Sequence, residues 1–223
     1  MLNKVKSRFA GKKVFLLPLV ALSALATTAQ SEKYQKAMGA NLAKYATVQA
    51  PMDFQALSAS FERIANAEKT EWLAYYYAAH AQILYGFMIK ENEGRDAIAD
   101  KAEQFIAKAD SLQPNNSEIS CLKSMAATLH MMVNPMQRYM QYGQQISSNM
   151  EKAKQQDPTN PRPYFLQGQN LKETPPQFGG GCKTAKPILE EAAKLYATFK
   201  PASPLHPNWG KGETEDLLAK CNQ

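Results

Sequence analysis

Three histidines, three cysteines and a run of methionines are the side chains of this sequence best able to do chemistry. His80, His130 and His206 stand far apart. None has the His-x-x-x-His or glutamate-flanked spacing that places zinc ligands on one helix face. No Gly-x-Ser-x-Gly elbow and no nucleophilic cysteine signature accompanies them. The expectation is a non-enzymatic protein with no cofactor and no metal, the alternative being an enzyme with an unrecognised site. Met125, Met131, Met132, Met136, Met140 and Met150 crowd the sequence around His130. Thioethers and imidazoles are Cu(I) ligands, but methionine also fills irregular helical cores. Core packing is the expected role.

Phe178-Gly-Gly-Gly181 followed by Lys183 has the look of a glycine-rich loop opening a helix, where free N–H groups hold an anion. The full P-loop spacing and a preceding strand are both missing, so a tight connection is expected. Trp72, Tyr75, Tyr76, Tyr77 and His80 belong to one helical stretch. Three consecutive aromatics span about 200° of a helix, which directs at least one of them to a groove or to solvent.

The N-terminus bears on compartment. Lys4, Lys6, Arg8, Lys12 and Lys13 precede an apolar run from Val14 to Ala26, and Thr27-Thr28-Ala29 supplies small residues. This is the pattern of a secretory signal peptide, with cleavage expected between Ala29 and Gln30. The expected domains are residues 1–29 as signal and 30–223 as one helical-repeat unit. The formal net charge is +6, and the five basic residues leave with the signal. The mature chain is then close to neutral, which removes the case for a nucleic-acid partner. No stable membrane span is expected after cleavage. Export to the periplasm or beyond, in a Gram-negative type of bacterium, allows a disulfide. Three cysteines, Cys121, Cys182 and Cys221, leave at least one thiol free.

The elements that must position these groups follow from a repeat. Counting back from Pro114, Pro158 and Pro204, offsets of 12, 8 and 5 give Ala102, Ile106, Ala109; Ile146, Met150, Ala153; and Ala192, Tyr196, Phe199. One step earlier, Lys69 takes the proline position, with Leu57, Phe61 and Ile64. The steps are 45, 44 and 46 residues. Each trio falls on one helix face. Asp157-Pro-Thr-Asn-Pro-Arg-Pro-Tyr-Phe-Leu-Gln-Gly168 and Leu112-Gln-Pro-Asn-Asn-Ser-Glu-Ile-Ser-Cys-Leu-Lys123 share one grammar of helix end, turn and new helix. Helices are expected over 32–46, 53–67, 70–89, 95–112, 117–132, 135–156, 161–172, 183–199 and 207–220.

These two segments, with the small–aromatic–small spacing before each proline, resemble tetratricopeptide repeats over residues 53–221. The period departs from the usual unit of about 34 residues. The resemblance implies an all-α, right-handed solenoid of about four helical hairpins plus a C-terminal capping helix. It further implies that the first helix of each hairpin lines a concave face. On the repeat beginning at Pro161 the lining residues are then Arg162, Phe165 and Gln169. On the repeat beginning at Ser117 they are Glu118, Cys121 and Met125. With Tyr76 and His80 from the aromatic helix, the expected partner-binding set is Tyr76, His80, Met125, Arg162, Phe165 and Gln169. In such stacks Cys182 begins one helix and Cys221 ends its antiparallel neighbour, which implies a disulfide between them. Cys121 is expected to be buried and inert, and Leu205-His-Pro-Asn-Trp209 to form an ordered turn under the cap.

The expected function is that of an exported module binding another protein or peptide in its concave groove. The alternative is a small-ligand carrier of a transport system.

Overall fold

Proline and asparagine decide where the helices of this chain break, and the breaks fix the architecture. The computed structural model describes residues 32–222, so the expected signal peptide and its junction lie outside the described residues. Nine α-helices and no strand are present among them: α1 Glu32–Tyr45, α2 Pro51–Ala67, α3 Trp72–Met88, α4 Arg95–Leu112, α5 Ser117–Val133, α6 Pro135–Gln156, α7 Arg162–Glu173, α8 Cys182–Thr198 and α9 Lys211–Cys221. Asn116 caps α5 by accepting from the Glu118 and Ile119 amides. Asn134 caps α6 by accepting from the Gln137 amide, with Pro135 at the first position, where a missing N–H costs nothing.

Consecutive helices pack as antiparallel neighbours, and α5 additionally contacts both α3 and α7. The first helices of successive hairpins therefore form an inner layer, and the second helices form an outer one. This is the all-α solenoid with a terminal capping helix. Ten of the twelve residues in the offset trios are buried; Ile64 and Phe199 are half-buried. Small residues let the layers approach closely. A Cβ placed on Gly168 of α7 would stand 2.5 Å from Leu189 Cδ2 on α8, a clash that glycine avoids. Hydroxyls join neighbouring helices: Ser117 donates to the Ala153 carbonyl and Ser58 to the Ala78 carbonyl.

The expected boundaries hold within two residues except at the end of the chain, where α9 begins at Lys211 and not near Pro207. The reason is tertiary. Tyr196 Oη donates to the Trp209 carbonyl and Arg162 donates to the Pro207 carbonyl, drawing residues 205–209 into an irregular strap. Cys182 and Cys221 form a disulfide with Cα atoms 5.1 Å apart, fastening α9 to the start of α8. Cys121 is a buried free thiol, and burial pushes its pKa upward. No helix of the described residues is long and apolar enough to cross a membrane.

Candidate functional site

The inner layer brings Tyr76, His80, Met125, Arg162 and Phe165 to the middle of the molecule, where all five are buried, whereas Gln169 is exposed. The strap covers them. Trp209 packs its indole 4.5 Å from the His80 ring and 6.1 Å from Phe165, and its Nε1 donates to Tyr76 Oη at 2.8 Å. Tyr76 in turn donates to Glu118 at 3.3 Å. Arg162 Nη1 donates to Glu118 Oε1 at 2.8 Å, and its guanidinium lies 4.7 Å from the Phe199 ring centroid and 5.2 Å from that of Trp209. The groove expected to receive a peptide is thus filled by the chain's own residues 205–209. Apolar solenoid faces must be covered by something, and here a long C-terminal connection does it.

Electrostatics follow the burial. Desolvation is the largest single effect on Arg162 and works against the cation. Glu118, with smaller help from Tyr76, Tyr196 and Cys121, outweighs it, so the net shift is upward and the guanidinium stays charged. His80 shares a 2.7 Å hydrogen bond with Tyr45 Oη, and burial, then the nearby Arg162 charge, lowers its pKa to about 3. It is a neutral imidazole at ordinary pH. Unfolding exposes a histidine that titrates near 6.5, so below that pH the unfolded chain binds a proton that the folded chain refuses. The contribution is complete above about pH 6.5 and is lost as pH falls toward 3, by up to about 1.4 kcal/mol per unit. Urea midpoints taken across this window should fall with pH, and His80→Gln should flatten the slope. An unchanged slope would place the pH sensitivity elsewhere.

Outside the strap lies a cleft of about 700 Å³. Its walls are the turns between hairpins: residues 113–118, 156–160 and 198–207, with Trp72 from the start of α3. The volume is ordinary for a small-molecule site. Trp72, Phe199, Pro201 and Pro207 supply apolar and aromatic surface, Asn115 and Asn116 supply amides, and Lys200 sits exposed on the lining. Asp157 is tied to Thr159 through the backbone amide and the hydroxyl, and Arg162 compensates Glu118. His206 is held at the wall with Nδ1 2.7 Å from Ser203 Oγ and its ring edge-on to Trp72. Its Nε2 makes no hydrogen bond within the described residues, and burial lowers its pKa. A neutral imidazole oriented through one nitrogen and open at the other is the form that binds a metal or an iron centre. Reading the residues in order does not single out His206 from the other two histidines. The sequence places it in the Leu205-His-Pro-Asn-Trp209 turn, which reads as structure until Trp72 is brought beside it.

The three amides of the glycine loop are already taken. The amides of Gly179, Gly180 and Gly181 bond to the carbonyls of Pro176, Pro175 and Leu171. The exposed large apolar side chains, Met52, Met88, Met136, Tyr139, Met140 and Phe178, lie instead at or beside the turns within hairpins.

No protein-family model and no curated protein matches the chain. Among solved structures, the HusA haemophore from Porphyromonas gingivalis is 37% identical, with 87% of this chain and 95% of that one covered at a TM-score of 0.77. The chain belongs to the family of that haemophore. A thermophilic tetratricopeptide-repeat protein of Thermus thermophilus matches at 17% identity and a TM-score of 0.61 over 84% of this chain and 80% of that one. At that identity the likeness concerns the fold of this chain alone, a tetratricopeptide-like solenoid.

Proposed function

We propose that this protein is an exported, non-enzymatic carrier of a haem-type tetrapyrrole, held in the cleft between the hairpin-to-hairpin turns. The observation that carries this reading is the likeness to a haemophore over nearly that protein's whole length. The cleft chemistry supports it. A tetrapyrrole offers a flat apolar face, two carboxylates and an iron with open axial positions. Trp72, Phe199 and Pro201 suit the face, Lys200 suits a carboxylate, and His206 Nε2 suits the iron. The disulfide fits an oxidising compartment. The peptide-binding reading requires the Trp209 strap to leave its hydrogen bonds to Tyr76 and Arg162, so the carrier reading is preferred.

A hemin titration followed at the Soret band should saturate at one per chain. His206→Ala should weaken it by about ten-fold, equivalent to 1.4 kcal/mol, and should remove the spectral signature of imidazole ligation. Unchanged affinity and spectrum in His206→Ala would remove the histidine from the site.

A further inference from the structure

His130 lies in α5 and α6 begins two residues after that helix ends, at the opposite end of the hairpin from the cleft turns. Its side chain is 7% exposed, and its ring stacks on Tyr142 with centroids 5.1 Å apart. Nδ1 stands 2.7 Å from Asp96 Oδ1, and Asp96 is itself clamped by both terminal nitrogens of Arg138. That contact fixes the ring and aims Nε2 toward α4. There it makes no hydrogen bond, and it stands 3.6 Å from both Asp100 Oδ1 and Glu103 Oε1.

A ring nitrogen without a hydrogen bond, on a side chain only 7% exposed and facing two carboxylates just beyond hydrogen-bond reach, has the spacing of metal ligands. Bonds of about 2.0–2.2 Å from a tetrahedral ion place its ligand atoms about 3.4 Å apart. The one donor atom from each of His130, Asp100 and Glu103 lies within 4.8 Å of the others. Asp96 behind Nδ1 completes the carboxylate–histidine–metal arrangement that orients such ligands. Asp100 and Glu103 are one helical turn apart on α4 and exposed, so an ion can reach them directly from solvent.

We propose that His130, Asp100 and Glu103 bind one divalent first-row metal ion, zinc-like in preference, with water completing the coordination. One imidazole and two carboxylates suit a borderline divalent ion and not Cu(I), whose soft thioether ligands the surrounding methionine sequence had offered. The site shares no residue with the cleft and does not depend on the carrier reading.

The test uses untagged protein stripped with a chelator and desalted. Zinc titrated by calorimetry should bind at one ion per chain with a micromolar or tighter Kd, and Co²⁺ should give visible d–d bands. The double variant Asp100→Asn, Glu103→Gln alters only exposed side chains and should melt like the parent. Its zinc affinity should fall at least about ten-fold, and Asp96→Asn should lower it by a similar factor through the imidazole orientation. Absence of saturable zinc binding in the parent overturns the proposal. So does equal affinity in the double variant, which would mean zinc sits elsewhere.

Discussion

Replacing Arg162 with methionine should cost this protein about 3–5 kcal/mol of stability, because it strands a buried carboxylate. Arg162 is fully buried and joins three parts of the chain: Glu118 on α5, Asn160 in the turn before α7, and the Pro207 carbonyl of the strap. Removing the cation leaves Glu118 with Asn160 and Tyr76 as donors but with no compensating charge. It also releases the strap from one of its two main-chain anchors. Urea unfolding is the measurement. Glu118→Gln in the Arg162→Met background should recover part of the loss, since the uncompensated charge goes with it. A single-variant cost below about 1 kcal/mol would show that the pair is not the fastening described above.

Loss of the disulfide should have the next largest effect. The bond between Cys182 and Cys221 closes a separation of 39 residues, which corresponds to about 3–4 kcal/mol if its action is on the unfolded chain. In a chain of this size that is a fall in Tm of about 10 °C. The fall should appear equally in Cys182→Ser, Cys221→Ser and in the double variant, because each breaks the same bond. α9 should lose protection from amide exchange before the rest of the molecule. Its burial rests on few residues, chiefly Thr214 and Leu217, and the bond is what keeps it against α8. Equal melting of oxidised and reduced protein would contradict this.

The solenoid was legible in the sequence because its information is local. Proline positions, asparagine caps and residues spaced four and three apart are read within single helices, and they placed eight of the nine helices closely. The disulfide followed once helix order was known. What escaped was everything made by the strap. Trp209 meets Tyr76 across a separation of 133 residues, and no period reports such a contact. Arg162 read as a groove residue for the same reason, since its burial depends on a segment 45 residues downstream. One signal was available: Glu118 and Arg162 hold the same second position in successive repeats, 44 residues apart. Stacking must therefore bring an acid against a base. The His130 cluster gave no motif, because its ligands come from two helices, α4 and α5.

The central claim, a tetrapyrrole carried in the cleft between hairpin turns, is tested most directly by hemin titration followed through backbone amide NMR. Hemin should shift and broaden amides in 113–118, 156–160 and 198–207 and at Trp72, saturating at one equivalent, while amides around Met136–Met140 and in 174–181 stay in place. No saturable change, or a change centred on Met136–Met140, would contradict it.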